Sequence, residues 1–514
     1  MKKNHSRIIS TFLVLTLIVF GSLSFVNAQR IVQVPQGVGT LDATIRGDTL
    51  ANGQRVNLNT IYELQRGGYY ITLSSIENTT YPVHIRAAAG GGKKPIIRPG
   101  VSGGGVSNRP FQARNNLTLE GVYVTNLDEQ SALLQNIIRL SADNIKLTII
   151  DSHLDRDLQA AIRCDGKNTK IIIKNSIISN IGRMASPDNG RGVDDRGNDI
   201  DTLIYENNTW YNLTSRILRD GGGIIKYCYI NHNTVVNVAQ WGCSIGGAIE
   251  AHFRNNLFIN TGFLGRSSTQ TWVMLETAAL SQTWLDQGFT QRLMIHNNNF
   301  YVDPQLIAAI PSDRTPTPMM NDHALAAASL SGSTLYNQSV TFGASPAVPL
   351  NVLQDYFNAA VTTKPDMDMG GGSPDFGKTQ MPFIFSYPTS SPLYTAGTSA
   401  QPLGDLNYFG IPVSVTNDEI IATDYQLYPN YPNPFNPSTN IRYSLPAAGN
   451  VKVEIFNTLG QLVNTIVNNY QEAGSHNVVW NGNDMNGNQV STGIYIYKLS
   501  TNNFVTAKKM VLVK

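Results

Sequence analysis

A chain of 514 residues is too long for one compact core, so two or more domains are expected. Its 38 Lys and Arg against 36 Asp and Glu give no basic excess of the kind a nucleic-acid binder carries. Three cysteines, Cys164, Cys228 and Cys243, are too few to staple a fold of this size and read as small buried apolar residues.

Residues 1–28 have a basic start, an apolar run from Ile8 to Phe25 and a small-residue exit at Ala28. This pattern predicts a secretory signal cleaved after Ala28. Removing Lys2, Lys3 and Arg7 with it leaves 35 basic residues, 38 minus 3, against 36 acidic, a net charge of −1.

Residues 29–114 are β-rich, with runs IVQVP (31–35), TIYEL (60–64), YYITL (69–73) and PVHIRA (82–87). They are expected to cap a repeat array and to supply its first one or two coils.

From 115 to 303 one pattern recurs, an alternating apolar run, a small or Asn residue, and a second apolar pair. The copies include NLTLEGVYVTN (116–126), KIIIKNSIISN (170–180), TLIYENNTWYN (202–212) and EAHFRNNLFIN (250–260). Their alignment puts Gly121, Ser152, Ser176, Asn208, Asn233, Asn256 and Asn298 in one column. Four residues on, Asn180, Asn212, Asn237 and Asn260 form a second. Such a period predicts a solenoid whose seven copies stack over roughly 35 Å. Asn suits the corners because it tolerates left-handed backbone and can bond along the axis as a ladder.

This region resembles the right-handed parallel β-helix of pectate-lyase-like proteins. The fold class expected is therefore all-β, a β-helix solenoid followed by a small C-terminal β-sandwich. Residues 304–410, rich in Pro and Gly, are expected to be a C-terminal cap with short helices near 323–330 and 352–357. Residues 411–425 read as a linker.

The tail, 426–514, opens on YPNPFNP (431–437) and continues with runs expected to be strands, VKVEIFNTLGQLV, GIYIYKL and KKMVLVK. It resembles the C-terminal sorting domain of the type IX secretion system of Bacteroidetes-type bacteria. The resemblance implies a small β-sandwich, similar also to the immunoglobulin-like domain of flagellar hook-capping proteins. It further implies the secretion machinery as partner, and release or attachment at the outer-membrane surface.

Charge in the repeats concentrates in short strands before each Asn-column strand: AAIRCDG (160–166), GRGVDDRG (190–197), TSRILRDGG (214–222), QWGCSIGG (240–247) and TWVMLET (271–277). These are expected to stack as a separate sheet. With Ile162, Cys164 and Val193 inward, Arg163, Asp165, Asp194 and Arg196 point out. The phase around Ile217 and Leu218 stays open.

An acidic polysaccharide needs its uronate charge neutralised, by guanidinium groups or a carboxylate-bound Ca²⁺. The adjacent carbon then loses a proton to a base and the glycosidic oxygen leaves by β-elimination. The β-helix lyase resemblance implies Arg163, Arg196 and Arg219 as catalytic cations. Asp165, Asp194 and Asp220 are the expected Ca²⁺ ligands, and Arg216, Trp272 and Glu276 the substrate contacts. Two alternatives stand beside this reading. One is a non-catalytic glycan-binding or adhesive surface protein. The other is an inverting glycoside hydrolase, for which Asp165 and the Asp194-Asp195 pair resemble the β-helix polygalacturonases. The Asn-Thr-Asp and Gly-His-Gly motifs of that family are absent. The expected partner is an acidic polysaccharide and the expected state a monomer.

Overall fold

The computed structural model describes residues 29–101, 108–286, 291–332, 334–358, 383–411, 425–427, 430, 433–445, 449–471, 474–502 and 504–513. The expected signal segment and most of the expected linker lie outside the described residues. The chain divides into two compact units, Met1–Val413 and Ser414–Lys514.

The first unit is a parallel β-helix with three sheet faces. Ten strands from Arg30–Val34 to Arg292–His296 form the first sheet, eleven from Gly37–Val38 to Leu335–Tyr336 the second, and eight from Ile76–Glu77 to Leu275–Thr277 the third. Alternation decides what each strand buries. On the first sheet Leu117, Leu147, Ile171, Leu203 and Cys228 align across successive coils and point into one continuous core. Further along, Phe258 and Phe300 stack with ring centroids 5.2 Å apart. All three cysteines are free and buried, and burial pushes each thiol upward.

The coils begin earlier than the repeat pattern does. Arg30–Val34 pairs with Thr60–Leu64, which pairs with Val83–Ala87, so the lead-in supplies three rungs of the first sheet rather than one or two. The helix Thr40–Gly47 buries Leu41 and Ile45 against this end.

The Asn columns divide two tasks. In the first column Asn208 Nδ2 donates to Asn233 Oδ1 (3.1 Å), Asn233 Nδ2 to Asn256 Oδ1 (3.0 Å) and Asn256 Nδ2 to Asn298 Oδ1 (2.9 Å). The left-handed turn itself falls one residue earlier, at Asn207, His232, Asn255 and Asn297. In the second column Asn180, Asn212, Asn237 and Asn260 do both. Each has φ between 53° and 57°, and each amide donates to the previous coil. The ladder satisfies polar groups that the closed coil removes from water.

Helix Asp322–Leu330 precedes the last strand of the second sheet, Leu335–Tyr336, and helix Leu350–Phe357 follows it. Residues 383–411 then lie along the outer face of the second sheet, where Phe385, Tyr387, Leu393 and Leu403 cover Tyr211, Val236 and Leu257. Asp405 anchors this strap. It accepts from Thr209 Oγ1 at 2.7 Å, its N–H donates to Thr234 Oγ1 at 2.9 Å, and His232 Nδ1 bonds the Gly404 carbonyl at 3.2 Å.

The second unit is an antiparallel sandwich. Gln426–Leu427, Thr439–Leu445 and Gly474–Trp480 form one sheet; Leu462–Gln471, Gly449–Asn457, Gly493–Ser500 and Val505–Leu512 form the other. Trp480, Phe435, Tyr497 and Met510 fill its core. The run VKVEIFNTLGQLV is not one strand. It turns between Asn457 and Gln461, where the Asn457 N–H meets the Gln461 carbonyl at 3.0 Å and Gly460 takes φ +77°.

Candidate functional site

The charged strands do stack as one parallel sheet. Register places Glu77, Gln112, Arg139, Arg163, Asp194 and Arg219 on consecutive rungs, and Glu276 pairs with Ser244 further along. Each has an apolar neighbour one residue earlier that faces the core: Ile76, Phe111, Ile138, Ile162, Val193, Leu218, Cys243 and Leu275. The open phase at Ile217 and Leu218 therefore resolves with Leu218 aligned to Val193 and Arg219 aligned to Asp194.

Asp194 is the centre. Only 1 % exposed, it accepts from Arg191 Nη1 at 2.7 Å and Arg219 Nη1 at 2.9 Å, with Arg196 Nη1 3.9 Å away. Burial alone would raise its pKa. The charge of Arg191 and the bond from Arg219 win and hold it below the ordinary carboxylate range. One rung back, Arg163 Nε donates to Asp165 Oδ1 at 2.9 Å and Arg139 donates to the other oxygen. Against burial, these donors lower Asp165 as well.

Asp195 points the other way. It is fully buried, and its Oδ1 accepts the backbone N–H groups of Gly197 (2.9 Å) and Gly221 (2.7 Å). Its neighbour is the carboxyl of Asp220, whose Oδ1 takes the Gly222 N–H at 2.8 Å. Burial first, and then the like charge of Asp220, push Asp195 up to about 8; Asp220 is also raised by burial. Two carboxyls in contact in a low-dielectric site share one proton. Gly246 makes room for this pair. A Cβ there would lie 1.3 Å from Asp220 Oδ2, and the backbone has φ +60°.

Several expected roles change. Asp165, Asp194 and Asp220 do not form a metal site: two are occupied by arginines, the third by a carboxyl, and no group of three His, Cys, Asp or Glu among the described residues is placed to hold a metal ion. The donor set does not fit Ca²⁺, which takes six to eight oxygens. Arg163 and Arg219 are donors in ion pairs with Asp165 and Asp194; Arg196, 41 % exposed, is the freest of the three.

Arg216 and Trp272 are not open substrate contacts. Arg216 is buried with its guanidinium 3.6 Å from the Trp241 ring centroid, and its Nη1 donates to Ser244 Oγ at 3.0 Å. Burial, then the charge of Arg191, pushes it down to about 10. Trp272 is buried against Trp241, centroids 5.2 Å apart. Glu276 accepts from Ser244 Oγ at 2.9 Å.

Sequence reasoning missed Arg139 and Arg191. Arg139 carried a signal, because IIRL (137–140) matches AIRC in phase. Arg191 carried none. It and Arg216 are register partners at the corner where the second sheet turns into the third, in the phase of the inward residues.

Among known proteins, a family model described as the FlgD Ig-like domain matches residues 437–503. No curated protein matches the chain. Two solved structures from Porphyromonas gingivalis show partial likeness. Dimeric latent PorU is 27 % identical over 18 % of this chain and 9 % of its own, with a TM-score of 0.15. PorZ, titled an essential surface component of the type-IX secretion system, is 23 % identical over 20 % of this chain and 13 % of its own, with a TM-score of 0.14. The chain thus spans about a tenth of either protein.

Proposed function

We propose that the β-helix binds an acidic, uronate-containing polysaccharide along its third sheet and cleaves it by β-elimination. The observation that carries this reading is the cation excess around Asp194. Seven arginines, Arg109, Arg139, Arg163, Arg191, Arg196, Arg216 and Arg219, meet six acidic partners, Asp157, Asp165, Asp188, Asp194, Glu276 and the singly charged Asp195–Asp220 pair. That excess suits a polyanion, whose carboxylates replace counterions on the arginines.

The pair supplies the proton chemistry. Asp195 lies wholly inside and Asp220 half-buried beside it. Near neutral pH they hold one proton between them, so Asp220 can accept a second from the sugar carbon beside the carboxylate. The C–H electrons become the C4–C5 double bond, the C4–O bond breaks, and Asp220 returns the proton to the departing oxygen. A carboxyl that burial raises above its ordinary range suits both halves of this transfer better than an ordinary one. Arg196 and Arg219 stabilise the charge that builds on the uronate.

Incubation of the full chain with pectate, alginate and chondroitin, with and without Ca²⁺, tests this by the ultraviolet absorbance of unsaturated uronate. Asp220→Asn should abolish turnover while glycan retention persists. Silence across the panel would remove the lyase reading. Retention with silence favours the second reading, a non-catalytic glycan-binding protein, to which the full occupation of Asp165 and Asp194 by arginines also inclines.

We further infer that the C-terminal sandwich is a type IX sorting domain that takes the β-helix to the cell surface or beyond. The YPNPFNP and GIYIYKL runs and the match to the FlgD Ig-like domain support this. Deleting 426–514 should leave the protein inside the outer membrane.

A further inference from the structure

A row of stacked side chains leaves the arginine cluster along the corner between the second and third sheets. Arg216 lies 3.6 Å from the Trp241 centroid, Trp241 lies 5.2 Å from Trp272, and Arg314 lies 5.5 Å from Trp272 and 5.1 Å from Phe357. The row ends at a short antiparallel ribbon, Arg266–Ser267 paired with Arg314–Thr315. Beside the ribbon is a groove of about 460 Å³, lined also by Ser268, Gln270, Ser312 and Asp313.

The two arginines of the ribbon differ. Arg314 is fixed in place: Nη1 donates to the carbonyls of Leu264 (3.1 Å) and Gly265 (3.0 Å), and Nη2 to Gln270 Oε1 (3.0 Å). The Arg266 guanidinium has no hydrogen bond or ion pair among the described residues. Hydroxyls and an amide surround it, and Asp313 is the one acid in the lining, against two arginines. A guanidinium with free donors matches the paired oxygens of a carboxylate or a sulfate ester, and hydroxyls match a sugar's own. The stacked row, with Arg216 and Trp272 buried, packs the ribbon and its groove against the corner that carries the arginine cluster.

We propose that this groove is an outlying anion subsite for the same acidic glycan. Arg266 holds a carboxylate or sulfate ester on a sugar several units from Asp194. This rests on the acidic-glycan reading above and extends it from a single cluster to a long-chain substrate.

Calorimetric titration of the full chain with short and long oligogalacturonates, and with short and long chondroitin sulfate oligosaccharides, tests it. Arg266→Ala should weaken the long ligands about tenfold, the scale of one charge-assisted bond, and leave the short ones unchanged. Arg266→Lys should recover part of the loss, and the unfolding midpoint should stay in place. A loss in both series assigns a carboxylate; a loss confined to the sulfated series assigns a sulfate ester; both uphold the subsite. Equal affinity of Arg266→Ala and wild type for long ligands overturns the subsite alone, as does an equal loss on short and long. Wild-type protein that binds neither series overturns the subsite and the proposed function together.

Discussion

Arg219 and Asp194 stand opposite each other on consecutive coils, Nη1 2.9 Å from Oδ1, and they are backbone register partners as well. The stacking of the helix itself therefore sets the ion pair, with no loop to position it. Arg191 takes the other oxygen of the same carboxylate. Arg219→Ala should cost about 2 kcal/mol, the scale of a hydrogen bond to a buried charge. Replacing Arg191 as well leaves Asp194 buried with only the Arg196 N–H and its guanidinium 3.9 Å away, and should cost about 3–5 kcal/mol. Adding Asp194→Asn should restore much of this. Denaturant midpoints of the series decide; simple additivity would sink the argument.

Asp195 has its folded pKa raised, so the sign of its pH dependence is fixed. The stability it contributes is complete below the unfolded carboxylate range and is lost as pH rises through about 8. Asp157 and Asp405, each raised by burial to about 7, add to the same decline. The Asp195→Asn protein should keep the losses due to those two, which level off near pH 7, and shed the part that continues up to about pH 8. Unfolding midpoints from pH 5 to about 9.5 give the difference curve.

Gly246→Ala tests the space beside Asp220. The added methyl meets Oδ2 at 1.3 Å and the residue has φ +60°. The backbone term alone is about 1–2 kcal/mol, and the carboxyl must also move away from Asp195. We expect a lowered midpoint and a weakened alkaline decline. An unchanged pH profile would mean the two carboxyls do not depend on this contact.

The two Asn columns should respond differently to glycine. Asn237 has φ 57°, so Asn237→Ala pays for a left-handed backbone and for the lost bonds to Asn212, Asn260 and the Ala347 carbonyl, whereas Asn237→Gly loses only those bonds. Glycine should be the milder change by about 1 kcal/mol. Asn233 is not left-handed and its amide donates to Tyr205 O and Asn256 Oδ1. There Gly and Ala should be similarly damaging, read by thermal unfolding of the four variants.

The strap gives an acid-side test. Burial pushes His232 down to about 4, so its contribution is complete above pH 6.5 and is lost as pH falls through about 4. Hydrogen exchange of residues 398–409 should quicken at acid pH before the coils open. His232→Asn, which suits the left-handed corner, should remove that sensitivity.

Most of the scaffold was legible before any coordinates. The period, the period-2 alternation and the Asn columns pointed to stacked coils, because each demands the same local conformation wherever it occurs. The lead-in was underread because its three rungs carry no Asn at the corners, so nothing marked them as repeats. FNTLGQLV was overread as a strand because its turn is made by Thr458-Leu459-Gly460, flanked by residues with strand-like neighbours.

The sequence by itself determined the solenoid and its charged third face, since these follow from patterns repeated along the chain, while the sandwich tail was expected from the family its motifs resemble. Tertiary structure alone decided what the charges do. Asp194 and Asp195 are adjacent in sequence, yet alternation sends one outward to two arginines and the other inward to a second carboxyl. One is held ionised and the other holds a proton, because burial and partners, which no spacing reveals, set the free energy of each charged form.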